Sequence, residues 1–257
     1  MGAAVGIALD RGQIPGCELA AISVRDPIKA AQFNEKLQSP VPSMSFEDLA
    51  DACDCVLEAL PPAAFETVAL PVLRAGKILI VMSGSQLLGR DDLVEMASSS
   101  GAKIMLPSGA MLGLDALKAV AVGVIHSVVI ETRKPPQSLT NAPYIVRNGI
   151  DLNALTEKYL VLAGSVVDIA KEFPANVNVA AALSLAGIGP ELTRLEIWAD
   201  PALQFNTHTV RVETDSSNFS MSIQNKPSAE NPATGIITAQ SVIALLRQFT
   251  NTLQIGT

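Results

Sequence analysis

The sequence predicts an α/β protein of two domains, a doubly wound parallel-sheet domain followed by a mixed α/β domain. Three observations carry this. Apolar strand-like runs alternate with helical patterns as far as Leu106, as in a parallel sheet with crossover helices. The 257 residues suffice for two compact domains. The apolar content, 49% of residues, comes from Ala, Val, Leu and Ile rather than from the 4% that are aromatic, which suits strands covered on both faces by helices.

The elements follow in order. Residues 2–11 read as a short helix stopped at Gly12, and Glu18–Val24 as an apolar strand. Asp26-Pro27 opens a helix that runs to about Leu37, with Asp26 as N-cap and proline at the first helical position. Ser45, with Asp48 three residues on, opens a helix to Ala52 by something close to a capping box. Strands at Cys55–Ala59, Lys77–Met82 and Lys103–Leu106 alternate with helices at Pro62–Gly76 and Gly89–Ser100. After Pro107 the pattern changes. A helix over Ser108–Val122 precedes strands at Ser127–Thr132, Leu195–Ala199, His208–Thr214 and Asn218–Ile223, which predict a more antiparallel sheet. Helices are expected at Asn153–Leu162, Asn178–Leu185 and, amphipathic, at Thr234–Gln248.

Alternation of this kind predicts a Rossmann-type first domain, but its opening is unusual. Such a domain begins with a strand and a G-x-G-x-x-G turn into the first helix. Here Gly2 already stands at the helix start. The first strand and the first two glycines would lie upstream of Met1. Either the chain begins earlier than Met1 or the loop is absent, and both readings stay open.

Charge and composition exclude several classes. A net charge of −7 argues against nucleic acid or an anionic membrane as partner. The stretch Pro107–Ile130 is apolar, but Pro107, Asp115, Lys118 and His126 interrupt it, so no membrane span is expected. No basic segment precedes the apolar start, so no signal peptide is expected either. Cys17, Cys53 and Cys55 are odd in number and find no second pair or nearby histidine, so they read as reduced thiols and not as a metal site. A cytoplasmic location follows from that reading.

Three segments carry candidate chemistry. His208 closes Asn206-Thr207-His208 between a turn and a β-branched strand, where an imidazole can face a cleft as general acid or base. A lone histidine is as often structural; His126, at a strand start, reads as structural. Asn176 and Asn178 open an Ala-rich helix in Phe173–Gly187, as caps or as amides offered to a ligand at a helix N-terminus. Pro107-Ser108-Gly109-Ala110 is a glycine-containing turn after a strand, which brings backbone close to a ligand.

Together these segments resemble the L-aspartate dehydrogenase family over nearly the whole chain. The most specific blocks are Pro107–Ala110, Thr132-Arg133-Lys134-Pro135-Pro136, Phe173–Gly187, Asn206–His208 and Glu230-Asn231-Pro232-Ala233-Thr234. The resemblance implies a Rossmann domain over 1–107, completed by a C-terminal helix over 232–257, and a substrate-binding and dimerisation domain over 108–231. It implies a homodimer that uses NAD or NADP. His208 matches the family's active-site histidine, Ala110 and Asn178 match its nicotinamide-contacting positions, and Gly2 alone matches the glycine motif.

The implied reaction is oxidation of L-aspartate to iminoaspartate, with oxaloacetate and ammonia after hydrolysis; the resemblance implies a supply of iminoaspartate to NAD biosynthesis, and amino-acid catabolism is equally compatible. A dicarboxylic substrate needs donors. Arg133 and Lys134, stiffened by Pro135-Pro136, are candidates, unless they are a solvated basic turn. Asn206 and Thr207 can add neutral hydrogen bonds. Val24 falls where an acid would hold the ribose hydroxyls of NAD, while Arg25 can pair with a 2′-phosphate, which leans towards NADP or dual use. The rival readings are a reductase of another small oxoacid and a non-catalytic dinucleotide-binding subunit.

Overall fold

The structure, a computed structural model, describes residues 1–174, 177–226 and 235–256. The elements in chain order are α1 (Gly2–Asp10), α2 (Pro27–Asn34), α3 (Phe46–Ala52), β1 (Cys55–Glu58), α4 (Phe65–Arg74), β2 (Ile78–Val81), α5 (Asp91–Ser100) and β3 (Lys103–Met105). They continue as α6 (Leu114–Val120), β4 (Ile125–Lys134), α7 (Pro143–Arg147), β5 (Tyr159–Ser165), α8 (Val166–Glu172), α9 (Asn178–Ala186), β6 (Arg194–Ala199), β7 (Asn206–Thr214), β8 (Asn218–Asn225) and α10 (Ile236–Gln248). The chain divides into two compact units, 1–107 with 239–254, and 108–238 with 255–257. The expected handover near residues 231 and 232, and Asn176, lie outside the described residues.

The first unit is a three-stranded parallel sheet in the order β1-β2-β3. Alternation along β2 sends Leu79 and Val81 to one face and Ile80 to the other. The first face is covered by Leu49 of α3, Phe65, Val68 and Val72 of α4 and Leu93 of α5. On the second face Ile80 and Met82 pack with Val5 and Ala8 of α1 and Val242 and Leu246 of α10. Helices on both faces make the sheet doubly wound. The caps form as the sequence predicts: Asp26 accepts from the Ile28 amide at 2.9 Å and Ser45 Oγ from the Asp48 amide at 3.1 Å.

Glu18–Val24 does not form the expected strand. Its backbone makes a single bridge, Ile22 to Ser43, so the apolar run has no neighbouring ladder to join. The C-terminal ends of β1 and β2 are instead braced by Glu58, a buried carboxylate. It accepts from the amides of Leu60 (2.7 Å), Met82 (3.2 Å) and Ser83 (3.0 Å) and from Ser83 Oγ (3.1 Å).

The second unit holds a five-stranded mixed sheet, order β5-β6-β4-β7-β8. The β4–β6 pair is parallel and the others antiparallel. α8 packs on β5 and β6, α9 on α8, and α6 on α9. The helix expected over Asn153–Leu162 is replaced by β5, which gives β6 its second neighbour. The helix expected from Ser108 starts only at Leu114, because Gly109 and Gly113 take φ of 63° and 74° and break it. The positive φ strains any side chain at Gly113, and a Cβ there would also displace the Met221 thioether.

Candidate active site

Register decides which residues share a face. His208 on β7 pairs with Thr132 on β4, and further along Ile130 pairs with Val210 and Val128 with Val212. In parallel with β4, Thr132 pairs with Ile197 and Lys134 with Ala199 of β6. On the other side, His208 pairs with Ile223 and Asn206 with Asn225 of β8. Since cross-strand partners and i,i+2 residues share a face, Thr132, Lys134, Asn206, His208 and Asn225 gather at one end of a face that is otherwise largely apolar.

That end is polar and nearly dry. His208 is 5% exposed and Lys134 8%. His208 Nδ1 lies 3.0 Å from Thr132 Oγ1. With Nδ1–H donating to that hydroxyl, Nε2 is left as an acceptor, the tautomer a general base needs. Burial pushes the His208 pKa from 6.5 down to about 3, and the Lys134 charge pushes it the same way. Burial also lowers the Lys134 pKa from 10.5 to about 8. The face therefore presents a neutral imidazole beside an amine that changes charge just above neutrality.

The candidates predicted from sequence fall into two groups. His208, Lys134 and Asn206 share the face. Arg133 and Thr207, each one residue out of phase, lie on the opposite face. Arg133 Nε comes within 3.1 Å of Glu131 Oε1, an ion pair without hydrogen-bond alignment, and Nη1 within 3.6 Å of Asp200 Oδ2. Glu131 also takes Arg211 Nη2 at 3.1 Å, so Arg133 belongs to an ion network away from His208. Thr207 Oγ1 donates to the Phe205 carbonyl at 3.4 Å. Asn178 is the first residue of α9, whose N-cap is Val177, so Asn178 is not a cap. The Ala110 carbonyl accepts from Asn225 Nδ2 at 3.0 Å, which ties that turn to the polar end of the sheet.

Thr132 and Asn225 were not singled out from sequence. Thr132 was legible as the residue two before Lys134 on one strand. Asn225 had no such signal, because its relevance depends on pairing with Asn206.

In the first unit, Gly2 opens α1 with no side-chain cap and no acidic residue in the first turn. Its Cβ position would be 3.4 Å from Ala59 Cβ, so the N-terminus of α1 lies beside the carboxyl end of β1. Uncapped amides at the carboxyl end of a parallel sheet fit the pyrophosphate of a dinucleotide. Arg25 is exposed beyond Ser23 and Val24. Among the described residues, no three His, Cys, Asp or Glu side chains group as a metal site, and no helix is long and apolar enough to cross a membrane.

Comparison with known proteins agrees with both units. The family model described as "Aspartate dehydrogenase, C-terminal" matches residues 115–249, and "Homoserine dehydrogenase, NAD binding domain" matches residues 1–107. An L-aspartate dehydrogenase of Bradyrhizobium diazoefficiens is 46% identical over 100% of this chain and 91% of its own length. L-aspartate dehydrogenase 3 of Bordetella bronchiseptica is 46% identical over 100% of this chain and 94% of its own. The crystal structure of aspartate dehydrogenase from Thermotoga maritima superposes with a TM-score of 0.75 at 27% identity, covering 98% of this chain and 97% of that one. A scyllo-inositol dehydrogenase from Lactobacillus casei, at 11% identity and a TM-score of 0.55, shares the fold. With a Rossmann-type parallel sheet, a mixed second sheet and a buried His208 at one end of it, the chain belongs to the L-aspartate dehydrogenase family, and with it to the NAD(P)-dependent amino-acid dehydrogenases.

Proposed function

We propose that the protein oxidises L-aspartate to iminoaspartate with NAD or NADP, and that His208 moves the proton. The observation that carries this reading is the neutral His208 held by Thr132, with Lys134 on the same buried face. The uncapped start of α1 at Gly2 would receive the pyrophosphate, Arg25 the ribose side, and Ala110 and Asn178 the nicotinamide. When bound, the oxidised nicotinamide supplies a hydride acceptor for the substrate Cα.

The residues divide the remaining work. The Lys134 ammonium attracts a substrate carboxylate. That carboxylate offsets the charge opposing protonation of His208, so substrate binding raises the basicity of the imidazole. His208 Nε2 then takes a proton from the substrate ammonium, and Thr132 Oγ1 fixes the ring through Nδ1. The nitrogen lone pair forms the C=N bond as the Cα hydride departs. Water added later to the imine releases oxaloacetate and ammonia. Asn206 adds a neutral hydrogen bond. Arg133 and Thr207, on the other face, take no part in this scheme. A cytoplasmic homodimer that supplies iminoaspartate to NAD biosynthesis is the setting in which we place this activity, supported by the family resemblance.

The test is reduction of NAD⁺ and NADP⁺ by the purified protein with L-aspartate, followed by absorbance, for wild type and His208→Ala. Wild type turns over, and the variant loses about 10²- to 10⁴-fold in kcat while its circular dichroism is unchanged. Absence of aspartate-dependent reduction in wild type overturns the substrate; near-normal turnover in the variant overturns the role of His208.

A further inference from the structure

Asn225 closes β8 at 6% exposure, in register with Asn206. Its amide orientation is fixed chemically. The Ala110 carbonyl, 3.0 Å away, can only accept, so the atom facing it is Nδ2 and the other is Oδ1. Oδ1 is buried and has no hydrogen-bond partner among the described residues. An amide oxygen left so gives up its hydrogen bonds to water with nothing in return. Such an atom calls for a reason, and a ligand donor is one. Gly235 lies against it without a side chain; a Cβ there would come within 3.3 Å of Asn225 Cβ and 3.5 Å of Oδ1. Asn225 shares its face with His208, Asn206 and Lys134, the end where the proposed function places the substrate.

We propose that Asn225 is a ligand-binding residue whose Oδ1 accepts a hydrogen bond from an N–H of the bound ligand, while its Nδ2 holds the Ala110 turn in place. The inference rests on the reading of the protein as an aspartate dehydrogenase. Two ligand groups offer that chemistry: the amino group of the substrate and the carboxamide of the nicotinamide. Either one satisfies the orphaned oxygen without moving the clamp on Ala110.

The experiment uses the full chain as wild type, Asn225→Ala and Asn225→Asp. Four quantities are read: KM for L-aspartate, the inhibition constant of succinate, the dissociation constant of NADH alone by fluorescence, and thermal stability. Succinate keeps both carboxylates and lacks the amine. If the donor is the substrate amine, Asn225→Ala raises KM for L-aspartate about tenfold or more with succinate inhibition unchanged. If it is the carboxamide, NADH binding weakens by a similar factor and the aspartate–succinate difference stays as in wild type. Asn225→Asp keeps an oxygen acceptor and loses the donor to Ala110, so it retains ligand affinity within a few-fold; a loss of tenfold or more in it places the effect in the Ala110 clamp and overturns the proposal, also where the alanine variant does not fold. Unchanged binding of both ligands overturns the proposal. So does a parallel loss of aspartate and succinate binding with unchanged NADH affinity, the pattern of a collapsed site. Wild-type turnover of L-aspartate is scored separately, so failure of this inference leaves that reading standing, and its absence sinks the reading alone.

Discussion

Lys134 and Arg133 show what one residue of phase is worth. Both were candidates for gripping a carboxylate, and composition cannot separate them. The pleat does: Lys134 joins Thr132 and His208 on the buried face, and Arg133 is turned to Glu131 and Asp200 on the other. Burial makes the amine titrate near pH 8. Below that value it is a cation on the face proposed to bind the substrate, and above it a neutral amine. Lys134→Met is therefore expected to raise KM for L-aspartate about 10- to 100-fold with the fold intact. The ratio of wild-type to variant kcat/KM, in which substrate ionisation cancels, falls towards one as pH rises through about 8. A ratio that is flat with pH removes the cationic role. His208 itself was legible as a candidate from its motif. Its neutrality was not, because that comes from enclosure and from a lysine distant in sequence.

At the scale of elements, reading succeeded where structure is locally encoded. Asp26-Pro27 and Ser45 with Asp48 specify helix starts by side chain-to-amide bonds that need no tertiary partner, and both form. It failed where pairing decides. Residues 153–162 have an acceptable helical pattern, yet Tyr159–Ser165 pairs with the edge of β6, since a ladder of backbone bonds outweighs weak local preference. Glu18–Val24 failed in the converse sense, as a strand-like run with one bridge. Glu58 was invisible for the same reason, since its partners Met82 and Ser83 follow the next strand. Its two oxygens take four donors across β1 and β2. Glu58→Gln turns an amide N–H towards those donors and leaves buried donors unmatched. We expect a loss of about 1–3 kcal/mol in urea unfolding of the parallel-sheet unit, with kcat of the residual folded protein unchanged. A variant as stable as wild type means that the brace is dispensable.

Across the whole molecule, the two buried bases make stability depend on pH in one direction. The unfolded chain binds a proton on His208 below about 6.5, but the folded ring resists it until about 3. The folded state is therefore at full advantage above 6.5 and loses stability as pH falls from 6.5 towards 3, by at most about 1.4 kcal/mol for each pH unit. Lys134 extends the trend upward. Its pKa falls from 10.5 to about 8 on folding, so its burial weakens the fold below 8, and stability is recovered as pH rises from 8 to 10.5. The position proposed to deprotonate substrate is thus one that makes the mixed-sheet unit sensitive to acid. Urea unfolding of wild type and His208→Gln at several pH values between 4 and 7 tests this, because glutamine keeps a polar side chain but does not titrate. The wild-type slope of stability against pH is expected to exceed that of the variant throughout this window. Equal slopes would mean that His208 takes up its proton as readily in the folded protein as in the unfolded chain, and that its neutrality at the site is not imposed by the fold.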